Sequence, residues 1–127
     1  MKHFLNVSDI TSTEQWFKKA QELREDPWGH RDAGRGKTLC LLFFNNSLRT
    51  RLSTQKAAQL LGLEVMVMNF GAEGWNLELE DGTCMDGDKA EHIREAAGVI
   101  GQYADLIGVR AFAGLKDPEI DQAEKVL

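Results

Sequence analysis

The sequence predicts a three-layer α/β sandwich, in which a parallel sheet lies between helices. Apolar, β-rich segments at 39–44, 63–69 and 105–110 alternate with helical patterns at 47–62 and 88–101. This succession is typical of parallel strands joined by right-handed helical crossovers, which cover both faces of a sheet. The chain has 127 residues, 43% of them hydrophobic, which is enough for one globular domain.

Charge and cysteine content narrow the class of protein. The net charge of −5, without a long basic run, argues against a nucleic-acid or membrane surface, so any anion site must be local. Cys40 lies in the most apolar strand and Cys84 is the only other cysteine, which favours structural, reduced thiols. No apolar run has the length of a membrane span and no signal-like region follows the amino terminus, so we expect a cytoplasmic protein.

An amphipathic helix comes first in the chain. Residues 11–14, Thr-Ser-Thr-Glu, have the spacing of a capping box with Thr11 as the cap. Apolar side chains then recur at helical spacing, and Pro27 stops the helix just after Asp26. The polar, glycine-rich residues 27–36 form a loop that leads to the first strand.

The first strand passes into a helix through a tight turn. An Asn-Asn pair breaks the strand, and the helix starts at Ser47, followed closely by Arg49, Thr50 and Arg51. Free backbone N–H groups, two hydroxyls and two guanidinium groups can therefore converge on one point, which predicts a site for an oxyanion such as phosphate. A surface helix start with Ser47 as N-cap and solvated arginines remains the alternative on spacing alone.

The second half of the chain should bring further polar residues to this turn. After the second strand, residues 69–87 form a long polar loop, and a helix over 88–101 follows with Asp88 as its cap. The third strand ends at Arg110, and a last helix starts near Pro118. Parallel sheets bind ligands outside the carboxyl ends of their strands, so the turn, the long loop and Arg110 should share that edge.

We expect no metal and no cofactor. His3 and His30 have no ligand spacing with either cysteine, and the acidic cluster in the long loop lacks the calcium-loop pattern. From the residues alone, Arg110 could instead form a surface ion pair. Trp75, in the long loop, could pack on its own domain or enter a neighbour's pocket.

Residues 43–51, Phe-Phe-Asn-Asn-Ser-Leu-Arg-Thr-Arg, resemble the carbamoyl-phosphate signature Ser-Thr-Arg-Thr-Arg of the aspartate/ornithine carbamoyltransferases. The Leu within it, the Trp75 loop and the segments 86–93 and 107–112 resemble the N-acylornithine branch. The resemblance covers nearly the whole chain. It implies transfer of the carbamoyl group from carbamoyl phosphate to the δ-amino group of N-succinylornithine or N-acetylornithine, in arginine biosynthesis. An ornithine carbamoyltransferase and a non-catalytic phosphate-binding fragment remain alternatives.

The resemblance also implies roles for the residues of the donor site. Ser47, Leu48, Arg49 and Thr50 would hold the phosphate through amides and side chains. Arg110 would contact the phosphate and carbamoyl oxygens. Arg49 and Arg110 would be the catalytic residues, because they would neutralise the charge that develops on the phosphate.

Three further residues take supporting or interface roles by resemblance. Arg51 would brace the turn, and Trp75 would reach across the interface of a homotrimer into the adjacent subunit's site. Position 90 carries Glu in acetylornithine enzymes and Pro in succinylornithine enzymes. Here it is Ala90, which lacks the negative charge that would oppose a succinyl carboxylate. We therefore expect succinylornithine to be slightly favoured as the acceptor.

Two parts of the family pattern have no counterpart in the sequence. The His-Pro-x-Gln segment that contacts the carbamoyl group is absent, and so is the second domain that binds the amino substrate. Residues 1–127 are thus expected to be a carbamoyl-phosphate-binding domain that ends before its last strand, inactive alone, with no nucleic-acid or membrane partner. A regulatory fragment that joins trimers through the Trp75 loop is a third possibility.

Overall fold

The structure, a computed structural model, describes residues 3–70, 76–79, 81–83, 89 and 91–112. Its elements, in chain order, are a 3-10 turn (Val7–Asp9), α1 (Thr13–Glu25), β1 (Thr38–Phe43), α2 (Leu48–Leu60), β2 (Glu64–Asn69), β3 (Leu77–Glu78), β4 (Glu91–His92), α3 (Ile93–Tyr103) and β5 (Leu106–Arg110). No helix in this described part is both long and apolar enough to cross a membrane.

The main sheet is parallel and has the order β2-β1-β5. The chain leaves β1 through α2 to β2, then returns through α3 to β5 on the far side of β1. Because such crossovers are right-handed, α2 and α3 lie on opposite faces, which confirms the predicted three-layer fold. At the carboxyl edge Phe43 pairs with Asn69 on one side and with Arg110 on the other.

Strand β1 forms the centre of the core. Its residues from Cys40 to Phe43 are between 3% and 7% exposed, as expected of a strand covered on both faces. Ala58 of α2 and Ile100 of α3 are also buried, and Ile100 packs with Cys40 in one apolar cluster. The continuous apolar run in the sequence is therefore the consequence of two-sided burial.

Helix α1 begins one residue later than the capping pattern predicts. Ser12, not Thr11, is the N-cap, and its hydroxyl accepts a hydrogen bond of 3.3 Å from the amide of Gln15. Residues 12–15, Ser-Thr-Glu-Gln, also have the spacing of a capping box and overlap the predicted one. The helix uses this second pattern for its start. No residue of α1 is buried, so its aromatic side chains, Trp16 and Phe17, remain exposed in the described structure.

Helix α2 ends at a glycine that the fold requires. Gly62 has φ of +77°, and the amide of Leu63 reaches back to the carbonyl of Ala58 at 2.9 Å, which satisfies the helix end. A Cβ at Gly62 would lie 2.0 Å from the carbonyl oxygen of Arg31. The glycine thus lets the loop before β1 press against the end of α2.

The prediction that the third helix starts at Asp88 is wrong. Helix α3 starts at Ile93, because Glu91 and His92 are held as β4 by parallel pairing with β3. The predicted loop 69–87 contains β3, which the sequence did not indicate. Asp88 itself and the predicted helix near Pro118 lie outside the described residues.

Candidate functional site

The turn between β1 and α2 presents free helix amides. Ser47 is the N-cap of α2; its hydroxyl oxygen accepts from the amide of Thr50 at 3.3 Å, and its hydroxyl lies 3.0 Å from Thr50 Oγ1. The amides of Leu48 and Arg49, at the first two helical positions, have no partner within the helix. Together with the positive end of the helix dipole, these N–H groups favour an anion.

Arg110 joins this turn from the neighbouring strand. Its guanidinium Nη1 donates to Thr50 Oγ1 at 3.2 Å, across 60 positions of sequence, and its carbonyl accepts from the amide of Phe44 at 2.9 Å. Arg110 Nε is buried and makes no hydrogen bond to any described residue. Because buried N–H donors normally have an acceptor, Nε is suited to receive an oxygen from a ligand at this edge.

The site lies where the strand connections diverge. In a 2-1-3 order of parallel strands, the crevice between the first and third strands at their carboxyl ends is the usual ligand site. Here those strands are β1 and β5. As predicted, the fold therefore brings Ser47, Thr50 and Arg110 together.

The other signature residues occupy the same helix turn without fixed partners. Leu48 is 73% exposed, and Arg49 and Arg51 are exposed as well. Neither arginine side chain forms a hydrogen bond or ion pair with another residue of the described structure. The role of Arg51 as a brace of the turn stays a prediction. Trp75 and Ala90 lie outside the described residues, so their predicted roles stay predictions too.

A polar cluster that the sequence did not indicate holds the start of α3. Arg94 donates to both carboxylate oxygens of Asp81, at 2.7 and 2.6 Å, while the ring Nδ1 of His92 caps the helix by accepting from the amide of Arg94. The hydrogen bonds from Arg94 hold the pKa of Asp81 below its usual value. Glu78 is 6% exposed and pairs with Lys89 at 2.8 Å. These contacts fasten β3 and β4 to α3.

A separate concavity lies between α3 and the sheet. It encloses about 320 Å³ and is lined mainly by apolar side chains, among them Cys40, Met66, Met68, Ile100 and Tyr103. Burial raises the pKa of the Cys40 thiol, which agrees with a structural role. Its apolar walls offer an anion no charge-assisted hydrogen bond, so this concavity does not compete with the turn.

Metal ligation has no support in the part of the chain that the structure describes. No group of three or more His, Cys, Asp or Glu side chains there is arranged to hold an ion.

The fold is a three-layer α/β domain whose candidate anion site lies at the switch point of the sheet. Residues 2–126 match the carbamoyl-P binding domain of aspartate/ornithine carbamoyltransferases. The chain belongs to this family.

Similar relatives include both N-succinylornithine and N-acetylornithine carbamoyltransferases. The chain is 49% identical over 127 residues to the N-succinylornithine carbamoyltransferase of Bacteroides thetaiotaomicron. That match covers 100% of this chain and 40% of the relative. It is 41% identical over 129 residues to the N-acetylornithine carbamoyltransferase of Xanthomonas campestris pv. campestris, of which it covers 38%. The chain thus spans about 40% of the length of these relatives.

Solved structures show the same fold. One is a glutamate-to-proline variant of N-acetyl-L-ornithine transcarbamylase, complexed with carbamyl phosphate and N-succinyl-L-norvaline; it is 41% identical and superimposes with a TM-score of 0.86. Acetylornithine transcarbamylase complexed with acetylcitrulline is 40% identical, with a TM-score of 0.83. Each match covers 100% of this chain and 38% of the other.

Proposed function

We propose that the chain is the carbamoyl-phosphate-binding domain of an N-acylornithine carbamoyltransferase. The observation that carries this proposal is the contact between Arg110 and Thr50 at the amino terminus of α2. It joins the family's signature turn to a guanidinium group from the adjacent strand. In this proposal the chain is the amino-terminal part of a longer transferase, which also supplies the acceptor site.

The donor phosphate lies at the start of α2. The amides of Leu48 and Arg49 and the hydroxyls of Ser47 and Thr50 donate to its oxygens, and the guanidinium groups of Arg49 and Arg110 balance its charge. A charge-assisted hydrogen bond contributes about 1.5–3 kcal/mol and a helix terminus about 0.3–2 kcal/mol. Two such bonds and the terminus together contribute about 3–8 kcal/mol, and the upper end of that range corresponds to micromolar affinity.

The reaction needs no side-chain nucleophile. The δ-amino group of the acceptor attacks the carbamoyl carbon, the bond from that carbon to the phosphate oxygen breaks, and phosphate leaves with the proton that the attacking nitrogen gives up. Arg49 and Arg110 stabilise the charge that develops on the leaving phosphate, and the helix amides are already oriented towards it. Positioning and preorganised electrostatics thus account for catalysis.

We infer N-succinylornithine as the preferred acceptor. By the family resemblance, Ala90 stands where acetylornithine enzymes carry Glu, so no carboxylate opposes the succinyl group. In support, a glutamate-to-alanine variant of N-acetyl-L-ornithine transcarbamylase, 42% identical to this chain, has been crystallised with carbamyl phosphate and N-succinyl-L-norvaline. The 49% identity to an N-succinylornithine enzyme points the same way.

The assembly and its location are part of the same proposal. The full-length protein is a cytoplasmic homotrimer in which Trp75 reaches into the adjacent subunit's acceptor site. Sedimentation of the full-length protein tests the trimer, and a Trp75→Ala variant tests the contribution of that side chain to the KM of the acceptor.

Comparing acceptors directly tests the proposed activity. The full-length protein is incubated with carbamoyl phosphate and N-succinylornithine, N-acetylornithine or ornithine, and the carbamoylated product is measured. We expect kcat/KM to be highest for N-succinylornithine. A preference for free ornithine would identify an ornithine carbamoyltransferase and contradict the assignment to the acylornithine branch.

A binding module without chemistry is the second candidate for residues 1–127 alone. The observation that favours it is their coverage of only about 40% of the relatives' length. Binding of carbamoyl phosphate by the 127 residues without product formation, beside an active full-length protein, is the expected result.

A further inference from the structure

Residue Asn45 forms a hydrogen bond that the proposed activity does not use. Backbone pairing between β1 and β5 ends where the amide of Phe44 donates to the carbonyl of Arg110. One step further, the amide of Phe112 donates to the side-chain oxygen of Asn45 at 2.6 Å. The Asn45 side chain therefore continues the ladder beyond the point where the two backbones separate.

This added contact fixes an aromatic ring beside the site. The guanidinium carbon of Arg110 lies 4.2 Å from the centroid of the Phe112 ring, which is within the range of a cation–π contact. Phe112 is 60% exposed and lies just beyond β5, and the hydrogen bond to Asn45 ties its backbone to the end of β1. Asn45 therefore anchors the backbone that carries this ring.

The Arg110 guanidinium is held from several sides. Thr50 accepts from Nη1 at 3.2 Å, the Phe112 ring packs against the guanidinium carbon, and Nε is buried without a partner in the described structure. Its direction relative to the amino terminus of α2 depends on both neighbours. A shift of the ring would change the direction in which the guanidinium group presents Nε.

We propose that Asn45 is a positioning residue for carbamoyl-phosphate binding, which acts through the Phe112 ring on the orientation of Arg110. This proposal rests on the proposed function, because it assigns Arg110 to the donor phosphate. Asn45 itself touches neither the phosphate nor the carbamoyl group. Its effect is confined to the donor side of the reaction.

Asn45→Ala in the full-length protein tests the proposal, with Asn46→Ala as the matched control. Asn46 is the same residue type, adjacent and exposed, and the described structure gives its side chain no hydrogen bond. Asn45→Ala should raise the KM for carbamoyl phosphate about threefold to tenfold, the range of a lost hydrogen bond or cation–π contact. The acceptor KM should stay within about twofold of wild type, and Asn46→Ala should leave both constants unchanged.

A higher KM for carbamoyl phosphate with an unchanged KM for the acceptor distinguishes a positioning role from general destabilisation. General destabilisation would lower the fraction of active protein and leave both KM values unchanged. Affinity for a non-hydrolysable methylene analogue of carbamoyl phosphate, measured by calorimetry, should fall by the same factor. Equal KM values for Asn45→Ala and wild type would overturn the positioning role. A wild-type protein that binds neither carbamoyl phosphate nor the analogue would overturn the proposed function as well.

A double-mutant cycle tests the route through the ring. Phe112→Leu keeps the backbone amide and apolar bulk but removes the aromatic face, so Asn45→Ala should have little further effect on the donor KM in that background. Effects that multiply across the double variant would show that Asn45 acts independently of the ring, which would overturn the proposed route.

Discussion

Thr50 connects the helix turn with Arg110 in the proposed donor site, so its hydroxyl is the sharpest single probe of that proposal. Thr50 Oγ1 is 3.0 Å from Ser47 Oγ and 3.2 Å from Arg110 Nη1. Thr50→Val removes this oxygen and keeps the shape of the side chain. Threonine and valine have similar helix propensities, and Ser47 still accepts from the amide at position 50. The fold should therefore be retained.

Thr50→Val should lower the affinity of the protein for carbamoyl phosphate. The substitution leaves an Arg110 N–H without its acceptor and the phosphate without a hydroxyl donor. The loss of one hydrogen bond to a charged group is about 1.5–3 kcal/mol, or about tenfold to 150-fold in affinity for carbamoyl phosphate. Isothermal titration of the full-length protein with the non-hydrolysable analogue measures this loss.

A matched control lies one turn further along α2. Thr54 is half-buried like Thr50, and no described hydrogen bond involves its side chain. Thr54→Val should therefore bind the analogue as the wild type does. Wild-type affinity in Thr50→Val, or an equal loss in Thr54→Val, would refute the linkage of Thr50 and Arg110 to the donor site.

Three further predictions concern the donor charge and the fold. Arg49→Ala should lower the affinity for carbamoyl phosphate by about 1.5–3 kcal/mol by calorimetry; near-unchanged binding would contradict the assignment. Gly62→Ala should destabilise the fold by about 2–4 kcal/mol in urea unfolding, because its Cβ would meet the carbonyl of Arg31 at 2.0 Å and φ is +77°. As a control, Gly36 has φ of +72° but no atom within 4 Å of an added Cβ, so Gly36→Ala should lose only about 1–2 kcal/mol of stability from the unfavourable backbone conformation. Equal losses of stability in the two variants would contradict the clash at Gly62. Because the pKa of Asp81 is lowered in the folded state, its ion pair adds stability above the unfolded pKa, and this stability is lost as the pH falls through the folded value. The advantage of wild type in Tm over Asp81→Asn should therefore shrink as the pH falls below about 4, and an advantage that does not shrink on further acidification would be inconsistent with this origin.

The main sheet could be predicted from sequence because its signals are strong and local. Strand β1 is a continuous apolar run, and Ser47, the predicted start of the next helix, is the observed N-cap of α2. The meeting of Arg110 and Thr50 also followed from topology, since the carboxyl ends of parallel strands share an edge. These features need no knowledge of side-chain packing.

The failures occur where local signals are weak or ambiguous. Strands β3 and β4 have two residues each, too few to show a periodicity. By residue type, Asp88 is a better N-cap than His92. His92 nevertheless caps α3, because pairing with β3 holds Glu91 and His92 in a strand and the helix can start only after them. The contact between Asn45 and Phe112 was missed, since an asparagine after a strand reads only as a turn residue.

A crystal structure of the full-length protein with the non-hydrolysable analogue of carbamoyl phosphate would locate the donor. We expect the phosphorus atom at the amino terminus of α2, with phosphate oxygens about 3 Å from the amides of Leu48 and Arg49 and from the guanidinium of Arg110. An analogue bound elsewhere, or one that leaves both the helix amides and Arg110 without contact, would contradict the assignment of this turn as the donor site.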